Sequence, residues 1–249
     1  MKVSIITATY NSAAYIAEAL RSIQTQTYLN IELVLIDGGS RDATVKIVNE
    51  VFTRDKIVVS EKDKGIYDAL NKGISKCTGD IIGFVHSDDL LASPNTINDI
   101  VNSFLKQNVD GVYGDLKYVS KENPHQVIRY WKSKTFKNSL LKKGWMPAHP
   151  TLFLKKEVYE KHGTFNTHYK IAADYDLMLR IFSDPRLNFF YLPEVITLMR
   201  VGGASNRSLK NVIQKSKEDL KTIRRNNLGY PFKVLFYKNF SKLIQFAQK

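Results

Sequence analysis

The sequence predicts an α/β protein built on a mostly parallel sheet with helices on both faces. Two observations support this prediction. Apolar, β-branched segments alternate regularly with amphipathic helical segments over the first 110 residues, and the strand segments are continuous apolar runs, as expected of strands covered on both faces. At 249 residues, 43% hydrophobic and 24% charged, the chain is large enough for one such domain with an appendage.

Four strand–helix pairs form the regular half of the chain. Each strand segment is followed by apolar residues at helical spacing. The pairs are KVSIITATY with SAAYIAEALRSIQTQT, IELVLID with RDATVKIVNEVF, KIVVSE with GIYDALNKGISKC, and DIIGFVH with NTINDIVNSFLKQ. Ser12 is the expected N-cap of the first helix, because its hydroxyl suits that position.

After Asp110 the pattern is less regular and predicts the mixed part of the same sheet. The expected strands are DGVYGDLKYVS, HQVIRYW, LNFFYLP and VITLMR, with a further strand and a short helix ending at Gly163 in PTLFLKKEVYEKHG. DYDLMLRIFSD reads as a helix. The last forty residues predict two helices separated at GYP, where Gly229 and Pro231 interrupt the helical pattern.

The charge of the chain is concentrated at its C-terminal end. The net charge is +13, and the segment from Arg207 to Lys249 carries eleven basic residues against two acids. Such an excess suggests a polyanionic partner. A nucleic-acid-binding protein would leave the acids at the strand ends unexplained. The single cysteine, Cys77, excludes an intramolecular disulfide and fits a reducing cytosol, and no signal peptide or apolar membrane span is expected.

Polar residues follow four successive predicted strands. In an open α/β sheet, ligands bind beyond the carboxyl ends of the strands, so these residues should share one edge. Taken singly, most have an ordinary explanation as a turn or a cap. The adjacent Asp88 and Asp89 differ, because neighbouring carboxylates repel and are stabilised best by Mg²⁺ or Mn²⁺. An acidic metal site in a basic protein indicates a protein that handles nucleoside diphosphates.

Six segments in order resemble family 2 glycosyltransferases of the GT-A fold, over residues 2 to about 205. They are SIITATYN, LVLIDGGSRDAT, SEKDKGIYDALNKGI, GDIIGFVHSDDLL, HPTLFLKKEVYEKHGTFN and AADYDLMLRI. The resemblance implies a GT-A catalytic domain over 1–205, with a nucleotide-sugar-binding half at 1–115 and an acceptor-binding half at 116–205. A basic amphipathic helical tail at 206–249 would follow it.

The resemblance also assigns residues to the nucleotide-sugar site. Those implied to line it are Thr9, Tyr10, Asn11, Asp37, Gly38, Asp63, Lys64, Gly65, Asp68, Ser87 and Asp89. The family's DxD motif falls on HSD, residues 86–88, so Asp88 matches the acid that binds a divalent cation, Mn²⁺ or Mg²⁺. His86 replaces the first acid of the motif, and a neutral imidazole could still bind Mn²⁺.

Asp174 matches the family's catalytic base, and its ordinary alternative is the N-cap of the helix that follows. An acceptor hydroxyl needs such a base, because its pKa lies far above neutrality. His149 corresponds to a position beside the acceptor or diphosphate, with a structural role as the alternative. Trp145 could stack on an acceptor sugar, and a core role is equally compatible with the sequence.

The function implied is an inverting, metal-dependent transfer of a hexose or N-acetylhexosamine from a UDP-sugar to a saccharide. The expected acceptor is a polyprenyl-diphosphate-linked oligosaccharide of surface polysaccharide synthesis, such as O-antigen (lipopolysaccharide), capsule or exopolysaccharide. The expected location is the cytoplasmic, inner face of a bacterial cell membrane, and a homodimer is left open. The alternatives are a nucleotidyltransferase-like protein and an inactive nucleotide-sugar-binding homologue.

The C-terminal segment 230–249 predicts a basic amphipathic helix that binds an anionic membrane surface. At helical spacing, one side collects Phe232, Leu235, Phe236, Phe240, Leu243, Phe246 and Ala247, and another collects Lys238, Lys242 and Lys249. A helix that packs this stripe on its own catalytic domain or on a partner subunit is the alternative.

Overall fold

The computed structural model describes residues 1–202 and 209–244, and in these residues nine strands form one mixed sheet. The strands are β1 (Val3–Thr9), β2 (Ile31–Asp37), β3 (Lys56–Ser60), β4 (Ile81–Phe84), β5 (Leu90–Leu91), β6 (Gly111–Val119), β7 (Val127–Trp131), β8 (Phe153–Lys155) and β9 (Phe189–Arg200). Their spatial order is β3-β2-β1-β4-β8-β6-β9-β5, with β7 paired to β6.

Eight α-helices lie within the described residues. They are α1 (Ile16–Gln24), α2 (Thr44–Val51), α3 (Ile66–Lys76), α4 (Thr96–Gln107), α5 (Lys156–His162), α6 (Ala173–Phe182), α7 (Leu209–Arg225) and α8 (Pro231–Ile244). They cover both faces of the sheet. Helices α1, α2 and α4 enclose one hydrophobic cluster, and α3, α5 and α6 enclose the other, as the alternating pattern predicted.

The first four strands run parallel and bring their carboxyl ends to one edge. Thr9 at the end of β1 pairs in register with Asp37 at the end of β2, which pairs with Ser60 at the end of β3. Strand β4 lies on the other side of β1, and its last residue, Phe84, pairs with Ile6. The polar segments that follow these strands therefore meet above the sheet.

Two local predictions were wrong. Helix α1 begins at Ile16 with Tyr15 as its N-cap, because the Ser12 carbonyl accepts the Tyr15 and Ile16 N–H groups in a preceding turn. The segments LNFFYLP and VITLMR form the single strand β9, which continues through Pro193 by a shift in register against β6. The two-residue strand β5 was not predicted, since it is too short to carry a periodic signal.

The two C-terminal helices pack back on the preceding part of the chain. Helix α7 packs on α6, and α8 packs on α7 and on a 3₁₀ turn at Asn138–Lys143. Pro231 begins α8, in agreement with the predicted break at GYP. Lys238, predicted on the polar side of this helix, is instead buried, and its Nζ lies 2.7 Å from Asp219 Oδ1.

Candidate functional site

The turn after β2 is organised by the Asp37 carboxylate. This fully buried side chain accepts hydrogen bonds from Thr9 Oγ1 (3.0 Å), Ser60 Oγ (2.6 Å), the Gly39 and Ser40 N–H groups, and the Ser40 hydroxyl. Burial acts to raise the pKa of Asp37, but the hydrogen bonds from Ser40, Ser60 and Thr9 outweigh it and the pKa is lowered. Asp37 is therefore an ionised residue that fixes the backbone of the DGGS turn.

Gly38 lies against two of the predicted nucleotide-site residues. A methyl group at this position would lie 2.6 Å from Asp63 Oδ2 and 3.4 Å from the ring of Tyr10, so a larger residue here would require the Asp63 carboxylate to move. The Tyr10 ring is largely exposed at 63%. These residues bring the ends of β1 and β2 and the segment after β3 into one wall.

The segment between β3 and α3 is a tight turn that leads into the helix. Asp63 Oδ1 accepts the Gly65 N–H at 2.8 Å, and Asp68 Oδ2 accepts the Lys64 N–H at 3.0 Å. Gly65 has φ of +112°, a left-handed conformation that suits glycine. Lys64 is exposed beside these two acids.

The turns after β1 and β4 are joined by side chains. Ser12 Oγ donates to Ser87 Oγ at 3.0 Å, which connects the first turn to the HSDD segment. Asn11 has φ of +48°, and its Oδ1 accepts the Arg41 N–H at 2.9 Å. The first contact joins the turns after β1 and β4, and the second joins the turn after β1 to the segment after β2.

The HSDD segment forms a compact acidic turn. The Asp89 N–H donates to the His86 carbonyl at 3.0 Å, and the Asp89 side chain is buried while Asp88 is half-buried. Burial and the neighbouring Asp88 charge raise the pKa of Asp89 well above its usual value, against the opposing effect of Arg200. The pKa of His86 is lowered by burial, although the charges of Asp88 and Asp174 oppose this. The ring is therefore neutral.

Arg200 supports this acidic turn and was not predicted from the sequence. Its buried guanidinium donates from Nη1 to the Asp88 carbonyl at 2.8 Å and from Nη2 to Glu18 Oε2 at 2.5 Å, and it lies over the Tyr15 ring. The only signal in the sequence is an arginine at the end of an apolar strand. It connects β9 to the turn after β4 and to α1.

His149 lies beside His86, below the HSDD turn and next to the end of β4. The two ring centroids are 6.1 Å apart, and His149 also packs against Phe84 at 4.9 Å and Phe165 at 5.4 Å. Burial lowers the pKa of His149 to about 3, with a further contribution from His86. His149 is thus a neutral residue whose ring is held by aromatic packing.

Asp174 lies in the first turn of α6, whose N-cap is Ala172. The hydroxyl of Tyr67 on α3 donates to the Ile171 carbonyl at 2.7 Å and to Asp174 Oδ1 at 3.4 Å. Burial and the Asp174 charge raise the pKa of Tyr67, which keeps it a donor. The Asp174 charge acts on the pKa of His86, so this carboxylate lies near the HSDD turn. Tyr67 was missed, although it stands in the segment that carries the family resemblance.

Trp145 is not brought to this group of residues. Its ring stacks on Phe136 at 5.9 Å and meets Tyr113 and Phe182 edge-on at 5.8 and 6.1 Å. Trp145 is partly buried and packs against the core cluster, as in the packing role that the sequence left open. Its contact with an acceptor sugar stays a prediction.

Known proteins resemble this chain in sequence and in fold. The family model described as glycosyl transferase family 2 matches residues 4–163. The chain belongs to glycosyltransferase family 2. A PGL/p-HBAD biosynthesis glycosyltransferase of Mycobacterium bovis is 31% identical over 98% of this chain and 93% of its own length. An uncharacterized glycosyltransferase of Haemophilus influenzae is 29% identical over 92% of this chain and 73% of its own length.

Solved structures support the fold assignment. S. aureus TarS, residues 1–349, in complex with UDP-GlcNAc superposes with a TM-score of 0.68 at 17% identity, over 98% of this chain and 91% of that one. The Pyrobaculum calidifontis mannosyltransferase PcManGT, in complex with GDP-Man and Mn²⁺, superposes with a TM-score of 0.66 at 22% identity. The match covers 99% of this chain and 73% of that one. The chain is a glycosyltransferase with the GT-A fold predicted from its sequence.

Two buried atoms of the acidic turn, Asp89 Oδ2 and His86 Nδ1, have no hydrogen-bond partner among the described residues. In the same part of the chain, no group of three or more His, Cys, Asp or Glu side chains could hold a metal ion by itself. The residues present fit a hard cation that takes one or two protein ligands and completes its shell with phosphate oxygens. In residues 1–202 and 209–244 no helix is long and apolar enough to cross a membrane.

Proposed function

We propose that the protein transfers a hexose or N-acetylhexosamine from a UDP-sugar to a saccharide hydroxyl with inversion at the anomeric carbon. The observation that carries this proposal is the position of Asp174, which is half-buried, is contacted by the Tyr67 hydroxyl and lies near the neutral His86 of the HSDD turn. TarS in complex with UDP-GlcNAc supports a UDP-sugar, and the GDP-Man complex of PcManGT makes GDP-mannose the donor to test against it.

In the proposed reaction, Asp174 accepts the proton of the acceptor hydroxyl as its oxygen attacks the anomeric carbon. The bond to the diphosphate breaks on the opposite face, so a single displacement inverts the configuration. Tyr67 orients the carboxylate through its hydroxyl. A divalent cation held by Asp88, with His86 or Asp89 beside it, would neutralise charge on the diphosphate oxygens. The chain's own contribution is to fix the two reactants and to take the proton.

The nucleotide part of the donor is proposed to bind along the wall formed by Tyr10, Gly38 and Asp63. Close approach of the backbone at Gly38 and an exposed aromatic ring at Tyr10 suit a flat base. Asp37, whose two oxygens are buried and already accept hydrogen bonds, would act by holding the Gly39 and Ser40 N–H groups in place. The remaining predicted residues, Thr9, Asn11, Lys64, Gly65, Asp68 and Ser87, are proposed to surround this wall.

The acceptor is proposed to be a lipid-linked oligosaccharide of surface polysaccharide synthesis, presented at the cytoplasmic face of the membrane. Helix α8 supports this, because Phe232, Phe236 and Phe240 are 68%, 65% and 53% exposed along one side. Exposed basic residues accompany them, and Arg224 lies over the Phe232 ring. Exposed aromatic side chains on α8, with Lys233 and the nearby Arg224 of α7, fit the interface of an anionic bilayer. Phe246, Ala247 and Lys249 lie outside the described residues.

A donor screen tests the enzymatic proposal. UDP-glucose, UDP-galactose, UDP-GlcNAc and GDP-mannose are offered with octyl glycosides as acceptors, with Mn²⁺, Mg²⁺ or EDTA, and nucleoside diphosphate release and product mass are measured. We expect one UDP-sugar to be used, with activity lost in EDTA. Use of GDP-mannose alone would contradict the UDP assignment, and no transfer or hydrolysis with any donor would contradict the proposed reaction.

A further inference from the structure

The turn that precedes Asp174 is held by a carboxylate from the C-terminal helices. Glu218 on α7 accepts hydrogen bonds from three consecutive backbone N–H groups, those of Lys170 (3.1 Å), Ile171 (2.9 Å) and Ala172 (3.0 Å). Helix α6 begins at the next residue, and its N-cap, Ala172, has no side-chain acceptor of its own. Glu218 therefore supplies, from a distant part of the chain, the negative group that favours a helix N-terminus.

Glu218 is ionised in this position. Its side chain is buried, and burial acts to raise its pKa, but the hydrogen bonds from Gln214 and from the three N–H groups outweigh that effect and the pKa is lowered. Gln214 Nε2 contributes a bond of 3.0 Å from the preceding turn of α7. A buried carboxylate that is satisfied in this way fixes the backbone it binds.

The C-terminal helices also hold the residue that follows Asp174. Lys238 on α8 lies over the Tyr175 ring, 3.1 Å from its centroid, and pairs with Asp219 on α7. Tyr67 holds the Ile171 carbonyl from α3 on the other side. Asp174 is thus a half-buried residue between neighbours that α7, α8 and α3 hold in place.

We propose that Glu218 is a positioning residue for Asp174. By fixing the backbone at 170–172, it directs the Asp174 carboxylate towards the acceptor hydroxyl, so that the two C-terminal helices are a part of the catalytic apparatus. The proposal rests on the base role of Asp174. Under this proposal, replacement of Glu218 lowers the rate of the chemical step and leaves the affinity for the donor unchanged.

Glu218→Gln tests this, with Glu32→Gln as a matched control. Glu32 is buried like Glu218 and accepts hydrogen bonds from two backbone N–H groups, those of Thr78 and Gly79. It lies at the amino-terminal end of the parallel strands, opposite the candidate site. Both variants should lower the melting temperature. Only Glu218→Gln should lower kcat, by about 10- to 100-fold, because misplaced reacting groups lose rate on this scale. The affinity for UDP should stay within twofold of wild type.

A double variant separates positioning from general destabilisation. In the Asp174→Asn background, with the donor that the screen selects and octyl glycosides as acceptors, Glu218→Gln should cause no further loss of kcat. Glu218→Asp, which keeps the charge, should recover part of the lost rate. Equal kcat losses in Glu218→Gln and Glu32→Gln, or additive losses in the double variant, would overturn the proposal while leaving the enzyme a glycosyltransferase.

Hydrogen exchange supplies a readout that needs no substrate. The amides of residues 170–172 should exchange at least tenfold faster in Glu218→Gln and at the wild-type rate in Glu32→Gln, since only the first variant replaces one of their two acceptor oxygens by an NH₂ donor and removes the charge. Unchanged exchange at 170–172 would overturn the inference whatever the activity. Absence of transfer by the wild-type protein would instead count against the proposed function.

Discussion

Asp37 and Asp174 are both carboxylates at the ends of secondary-structure elements, but their surroundings differ. Asp37 is fully buried, and its two oxygens are occupied by hydrogen bonds from Thr9, Ser60 and the turn at 39–40. Asp174 is half-buried and accepts one long hydrogen bond, from Tyr67. A saturated carboxylate stabilises a loop, whereas one with free lone pairs can take a proton, and this difference supports the assignment of Asp174 as base.

Tyr67→Phe removes one hydroxyl that holds this base. Loss of a hydrogen bond of about 1 kcal/mol should lower kcat roughly 5-fold, while the affinity for UDP is unchanged. The matched control is Tyr113→Phe, which removes the hydroxyl that binds the Lys134 carbonyl in the core. It should lower the melting temperature by a similar amount and leave kcat unchanged. Similar kcat losses in both variants would show that Tyr67 acts through stability alone.

The register of the parallel strands is enough to bring their polar carboxyl ends together at one edge of the sheet. Thr9, Asp37 and Ser60 are aligned by the register of β1, β2 and β3. Their opposite, amino-terminal ends are joined by Glu32, which accepts hydrogen bonds from Ser4 and Thr78 and lies 2.7 Å from Lys2 Nζ. The contacts of Glu32 thus hold the amino-terminal ends of these strands together, and the candidate site lies at their carboxyl ends.

Glu32 should make the stability of the protein depend on acid pH. Burial acts to raise the pKa of Glu32, but hydrogen bonds from Lys2, Ser4 and Thr78 lower it to about 2. Because the unfolded carboxyl titrates near 4.3, the folded state binds fewer protons, and this stabilisation is complete above about pH 5 and is lost as pH falls towards 2.

The expected result for Glu32→Gln is a flatter dependence of the free energy of unfolding on pH between 5 and 2, measured by urea titration. At pH 7 the variant should be less stable by about 1–3 kcal/mol, the usual cost of leaving buried donors unpaired. Glu50→Gln, an exposed change on α2, should follow the wild-type curve. A wild-type slope in Glu32→Gln would show that other groups carry the acid sensitivity.

The sequence predicted the first four strand–helix pairs closely, because continuous apolar strands and amphipathic helices are local patterns. It did not predict the start of α1 or the continuity of β9, since both depend on contacts with distant residues. The same limit applies to the site. Asp88 and Asp174 stand in recognisable segments, whereas Arg200 and Glu218 act through partners more than forty residues away.

Helix α8 has one buried face and one exposed face. One face of α8 carries Val234 and the buried Lys238 and packs towards α7, and the other carries the exposed Phe232, Phe236 and Phe240. Deletion of 230–249 would remove both faces together and uncover the core. Substitution of the exposed phenylalanines changes only the face proposed to meet the membrane.

The triple variant Phe232→Ser, Phe236→Ser and Phe240→Ser should lose binding to vesicles of phosphatidylglycerol and phosphatidylcholine, measured by co-sedimentation. Removal of three interfacial aromatic side chains should weaken binding at least tenfold. Leu29→Ser, at a 78% exposed position on the catalytic domain, is the control and should bind as wild type. Undiminished binding by the triple variant would assign the aromatic face to a partner protein or a second copy.

The proposed reaction depends on Asp174 as the group that accepts the proton of the acceptor hydroxyl. Asp174→Asn keeps the size of the side chain and removes its basicity. With the active donor and acceptor pair, we expect kcat to fall by about 10²- to 10⁴-fold, the range for loss of a general base. UDP should bind with an affinity within twofold of wild type by calorimetry. Transfer at a near-normal rate by Asp174→Asn would contradict the account.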